Sequence, residues 1–98
     1  MKLLKVQGGT ALLNPTQQPV LDPSILSITA LALEEGGSHQ IIDRVTIVRG
    51  YAELSVMYHE NSNYRDAVVR ALNRLSDALE AQGKRAVALT TRSLADNR

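Results

Sequence analysis

Tyr64, Ala67, Val68, Ala71, Leu72, Leu75, Ala78 and Leu79 recur three and four positions apart, with Arg65, Asp66, Arg70, Asn73, Arg74, Asp77 and Glu80 between them. This spacing gathers the apolar side chains on one face of an α-helix and the charges on the other. A half-buried strand would alternate every second residue, and this segment does not. The chain must therefore supply other elements to cover a long apolar helical face. Before it, Asn61-Ser62-Asn63 reads as a turn, with Asn63 as helix cap and Asp66 close to the positive end of the helix dipole. Asp66 and Arg70 form a favourable i,i+4 pair. Gly83 is a natural helix stop. Beyond it, residues 85–96 predict a short, weakly amphipathic helix. The alternative is one helix continuing through Gly83 to about Ala95.

Upstream, Ser38 can cap a helix running to about Glu60. Val45-Thr46-Ile47-Val48 is β-branched throughout and favours a strand by propensity. Periodicity decides for the helix. Ile41, Ile42, Val45 and Val48 form one stripe at helical spacing, and Ile47, Tyr51, Leu54 and Tyr58 form a second. Gly50 weakens the middle by about 1 kcal/mol relative to Ala, and marks either a close helix crossing or a bend. The short turn after this helix predicts an antiparallel helical hairpin.

A first helix is predicted from Asp22, with Asp22 as cap and Pro23 at the first helical position, where no backbone donor is needed. Ile25, Leu26, Ile28, Leu31 and Leu33 follow without a charge. A helix apolar on most faces is either central or part of an interface. It ends at Glu34-Glu35-Gly36-Gly37, where the two carboxylates oppose the helix dipole and could meet a basic partner. Residues 1–22 contain the breakers Gly8-Gly9, Asn14-Pro15, Pro19 and Asp22-Pro23. They predict an irregular arm, apolar through Leu12, Leu13, Val20 and Leu21, that packs on its own domain or a neighbouring subunit. The expected fold is thus all-α: three to four helices on an antiparallel hairpin (residues 23–98), preceded by the arm (1–22).

Ninety-eight residues make one domain with one modest core. With three Tyr and neither Phe nor Trp, that core must be aliphatic. Cysteine is absent, which removes disulfides, zinc–thiolate sites and thiol nucleophiles. Met1-Lys2-Leu3-Leu4-Lys5 resembles the start of a signal peptide, but Gln7-Gly8-Gly9-Thr10 interrupts it before any apolar core. The expected location is cytoplasmic, or exported without a cleavable signal, with no membrane span.

No candidate chemistry is complete. His39 and Asp43 stand at i,i+4, which is half a metal site at most, since three or four ligands are needed. His59 is one turn from Ser55, but no oxyanion element or third orienting group accompanies them. Gly8-Gly9-Thr10 lacks the Lys and the spacing of a phosphate-binding loop. No catalytic residue, metal site or cofactor is therefore expected. The net charge of +1 argues against a dominant polyanion partner. Arg65, Arg70, Arg74, Lys84, Arg85, Arg92 and Arg98 nevertheless concentrate in the last third. Of these, Arg65, Arg70, Arg74, Lys84, Arg85 and Arg92 are candidate contacts to an anionic partner, although Asp66, Asp77 and Glu80 interleave with them. Tyr51 and Tyr58 share a helix face, and tyrosine is favoured at interfaces.

Tyr51, Leu54, Ser55, Tyr58, Tyr64 and Ala67 resemble part of one tetratricopeptide repeat, but Ala71 and Arg74 depart from it and no second repeat is found. Ser55-Val56-Met57-Tyr58 with Asn61-Ser62 is similar to the second helix of type III secretion needle subunits, small hairpins that polymerise. The segment after Gly83 departs from that pattern. Each resemblance covers less than half of the chain, and neither assigns a family. The functional expectation is a non-enzymatic interaction or assembly module: an adaptor, a chaperone, or a structural subunit of a secretion or virion-like assembly. It would act as a homo-oligomer or with a protein partner, through Ile25, Leu26, Ile28, Leu31, Leu33, Tyr51 and Tyr58. The alternative is a nucleic-acid accessory protein using the Arg-rich face of the third helix and the C-terminal segment.

Overall fold

The structure, a computed structural model, describes residues 21–35 and 37–98. The proposed arm, up to residue 20, lies outside the described residues. What is described is all-helical, with no strand: α1 (Pro23–Glu35), α2 (His39–Met57), α3 (Ser62–Ala81) and α4 (Arg85–Asp96). Residues 41–49 lie within α2, so periodicity overrides the β-branched propensity of Val45 to Val48.

Each helix begins or ends where local chemistry requires it. Asp22 caps α1 by accepting from the Ser24 amide at 2.8 Å. Gly37, at φ 62°, takes the left-handed conformation after the helix. Ser38 caps α2 by accepting from the Ile41 amide at 3.2 Å. The same hydroxyl accepts from Gln82 Nε2 at 2.7 Å, which ties the start of α2 to the end of α3. The α2–α3 turn differs from the sequence expectation. Tyr58, His59 and Glu60 make the turn, and Asn61 is the cap, its side chain accepting from the Asn63 amide at 3.0 Å. Either asparagine can cap. The earlier one prevails, and Asp66 consequently sits in the second turn of α3, not the first.

Gly83, at φ 78°, separates α3 from α4 and excludes the continuous helix. The Gly83 amide donates to the Glu80 carbonyl at 3.0 Å and the Lys84 amide to the Leu79 carbonyl at 2.9 Å. This is the double bond pattern of a Schellman stop.

The helices contact one another in chain order, with α1 closing against α4: α1 on α2, α2 on α3, α3 on α4 and α4 on α1. The hairpin of α2 and α3 is the frame, and α4 folds back along the other side of α3. The core joins Ile25, Ile28 and Ala32 of α1, Ile41, Val45, Val48 and Ala52 of α2, Val68, Leu72, Leu75 and Leu79 of α3, and Val87, Ala88 and Ala95 of α4. Contrary to the expected weak pattern, α4 buries a clean face of Val87, Ala88, Thr91 and Ala95. Thr91 hides its polarity by donating to the Val87 carbonyl at 2.8 Å, so it reads as polar in sequence yet packs as core. Ser76, fully buried on α3, likewise donates to the Ala88 carbonyl of α4 at 2.7 Å. Gly50 marks no close crossing, because a Cβ built there would meet nothing within 4 Å.

Candidate functional site

The apolar first helix sits at an edge of the helical array. Ile25 and Ile28 are buried, along with Thr29 and Ala32. Both isoleucines therefore serve the core, at 1% and 4% exposure, and Ile28 also lines the groove described next. Leu26, Leu31 and Leu33 remain exposed, at 41%, 37% and 38%. Three leucines on one 13-residue helix are therefore left without cover among the described residues.

Leu31 belongs to a groove between α1 and α4. Pro23, Ile28 and Leu31 form one wall, Leu89 and Leu94 form the other, and Ser24, Ser27, Thr90, Ser93 and Asn97 complete the lining. The volume is about 690 Å³, and not one lining residue carries a charge. Leu89 is the most exposed large apolar residue in the described chain, at 62%. It did not stand out in the sequence. The signal was present but hidden: once Thr91 counts as core, Leu89 falls opposite the buried stripe of α4, where a leucine has no structural purpose.

A second recess, of mixed character, lies at the hairpin tip. Met57, Tyr58, His59, Glu60, Asn61, Ser62 and Tyr64 line an open recess of about 610 Å³. The rings of Tyr58 and Tyr64 stack at 5.7 Å with a tilt of 37°, and Tyr58 and Met57 are more than half exposed. Nothing here assembles a catalytic set. Ser55 Oγ donates to the Ala52 carbonyl at 2.8 Å, and His59 stands exposed with Glu60 at 4.0 Å. His39 and Asp43 meet at 3.7 Å as an exposed local pair. Among the described residues no three His, Asp or Glu side chains converge on a common point.

The basic residues separate into different places. Arg92 turns toward α3, bonding Asp77 and, at 3.3 Å through Nε, Ser76. Arg98 pairs with Asp22 at 2.7 Å, joining the end of α4 to the start of α1. Arg65 lines a recess with Asp66 and Arg98. Lys84 and Arg85 begin α4. Arg70 and Arg74 share a groove between α2 and α3, where they meet Arg44, Ile47 and Tyr51 of α2. Arg44 was not among the sequence candidates, because only the packing of α2 on α3 brings it to the other two. The Asp22 carboxyl is held below its ordinary range. The Ser24 amide stabilises its charge most, and the Arg98 guanidinium adds to this.

No helix among the described residues is long and apolar enough to cross a membrane. In comparisons with known proteins, the chain matches no family model, no curated protein and no solved structure.

Proposed function

We propose that this chain is a non-enzymatic assembly module that joins a second copy of itself, or a protein partner, through the groove between α1 and α4. The observation that carries the reading is the groove's chemistry: five apolar side chains and five uncharged polar ones, with Leu89 projecting into water. A soluble surface is ordinarily laced with charge, and an uncharged apolar concavity marks a place where another surface fits. Leu26 and Leu33 are exposed on a different face of α1, and Tyr51 and Tyr58 supply further contact positions elsewhere on the hairpin.

The test is the native mass of the protein across a wide concentration range, with any stoichiometric companion identified. The wild type should run above monomer mass or carry a defined partner. Leu89→Glu should return it to monomer with its helical content intact, because that side chain contributes little to the core. A rigid monomer at high concentration with no companion would remove the reading.

A further inference from the structure

We infer that the groove between α2 and α3, flanked by Arg44, Arg70 and Arg74, docks an acidic segment of a partner protein, one in which carboxylates flank an apolar side chain. The inference rests on the reading of the chain as a protein-binding module and concerns a surface other than the α1–α4 groove. Arg44, Arg70 and Arg74 all line one recess of about 280 Å³. The ion pairs among the described residues are His39–Asp43, His59–Glu60, Arg92–Asp77 and Arg98–Asp22, so none of the three arginines is paired and the Asp66–Arg70 pair expected from the sequence does not form. Residues 1–20 contain no Asp or Glu and can provide no side-chain carboxylate to them. Arg70 and Arg74 stand one turn apart on α3, a mutually repulsive placement. An anion between them relieves that repulsion, and a carboxylate matches the guanidinium fork in bidentate fashion.

The walls choose among anions. Ile47 and Tyr51 are exposed at 43% and 39% on the α2 side, and the floor is Ala67 and Ala71, whose small side chains let a ligand approach the helix closely. This pairing of apolar wall and cationic rim suits a protein segment that offers both characters. A phosphate chain fits less well. It would find three cations and no stacking platform beyond one tyrosine, and it has nothing apolar to set against Ile47.

The experiment is fluorescence anisotropy with a labelled peptide carrying two Glu on each side of a central Leu pair. A single-stranded DNA of the same charge is the second probe. The proteins are the full chain, the triple variant Arg44→Gln, Arg70→Gln, Arg74→Gln, and a charge-matched control, Arg49→Gln, Arg65→Gln, Arg85→Gln. The peptide should bind the wild type, lose at least tenfold in affinity in the triple variant, change less than twofold in the control, and lose severalfold with Tyr51→Ala. Binding should weaken as salt rises. No peptide binding at millimolar concentration, equal losses in both variants, or tighter binding of the DNA would each overturn the proposal. A native mass that falls in the triple variant would overturn it in favour of a second copy filling the groove. A native mass unchanged by the triple variant leaves the α1–α4 assembly standing on its own, so the two readings fail separately.

Discussion

Helices α1 and α3 use their apolar residues in opposite ways. α3 interleaves its apolar residues with charge, yet it buries eight residues and spans the core from α2 to α4. α1 carries no charge until Glu34, yet it buries only Ile25, Ile28, Thr29 and Ala32. The difference teaches that arrangement, and not apolar content, decides which helix is central. A wide stripe at helical spacing allows contact with two neighbours at once. Apolar residues spread around the whole circumference leave some facing outward whatever the packing. The surplus apolar surface this leaves on a peripheral helix is what the proposed assembly role would use.

The sharpest way to break this comparison is to truncate both helices. Leu75→Ala, at a fully buried α3 position, should cost about 3 kcal/mol in denaturant unfolding, because a cavity opens where α3 meets its neighbours. Leu33→Ala on α1 should change stability by less than about 0.5 kcal/mol in the same measurement. Equal costs would erase the distinction between the two helices. Next in size are the glycines that bound or interrupt the frame. Gly83→Ala forces a side chain into the left-handed region and should cost about 1 kcal/mol, with loosening of α4. Gly50→Ala should instead raise stability by about 0.5–1 kcal/mol, since the position is helical and open. A small effect is expected at the α1–α4 junction. Asp22→Asn keeps a capping side chain but loses the charge facing Arg98, and should cost about 0.5 kcal/mol at neutral pH. The sign with pH follows from the lowered Asp22 pKa. A carboxyl held below its ordinary value adds stability at pH above the unfolded pKa, and that contribution is lost as pH falls through the folded pKa. Acid should therefore destabilise the wild type more than Asp22→Asn below the ordinary carboxylate range, as read by melting temperature against pH.

Much of the fold was legible in the sequence because local chemistry and periodicity agreed. Asp22-Pro23, Ser38 and Gly83 bound helices as expected, and the α3 stripe named its own buried face. What escaped notice depended on contacts between helices or on competing equivalents. Asn61 and Asn63 are alike as caps, so the start of α3 shifted. Thr91 and Ser76 look polar until their hydroxyls are satisfied by backbone carbonyls, which concealed how cleanly α4 packs. The candidate surfaces were legible only in part. Leu31, Tyr51, Arg70 and Arg74 were singled out, whereas Leu89 and Arg44 acquire their meaning from helices they meet in space. That Ile25 and Ile28 turn into the core was not legible, because a helix apolar all round does not reveal which side faces inward.

The most direct measurement uses the absence of cysteine, which makes Leu89→Cys a unique attachment point for an environment-sensitive fluorophore. On raising protein concentration, or on adding a stoichiometric companion, emission from position 89 should shift to the blue as the α1–α4 groove is covered. The same label at exposed Glu53 on α2 should stay unchanged. A label at 89 that remains as hydrated as the one at 53 under every condition would contradict the account.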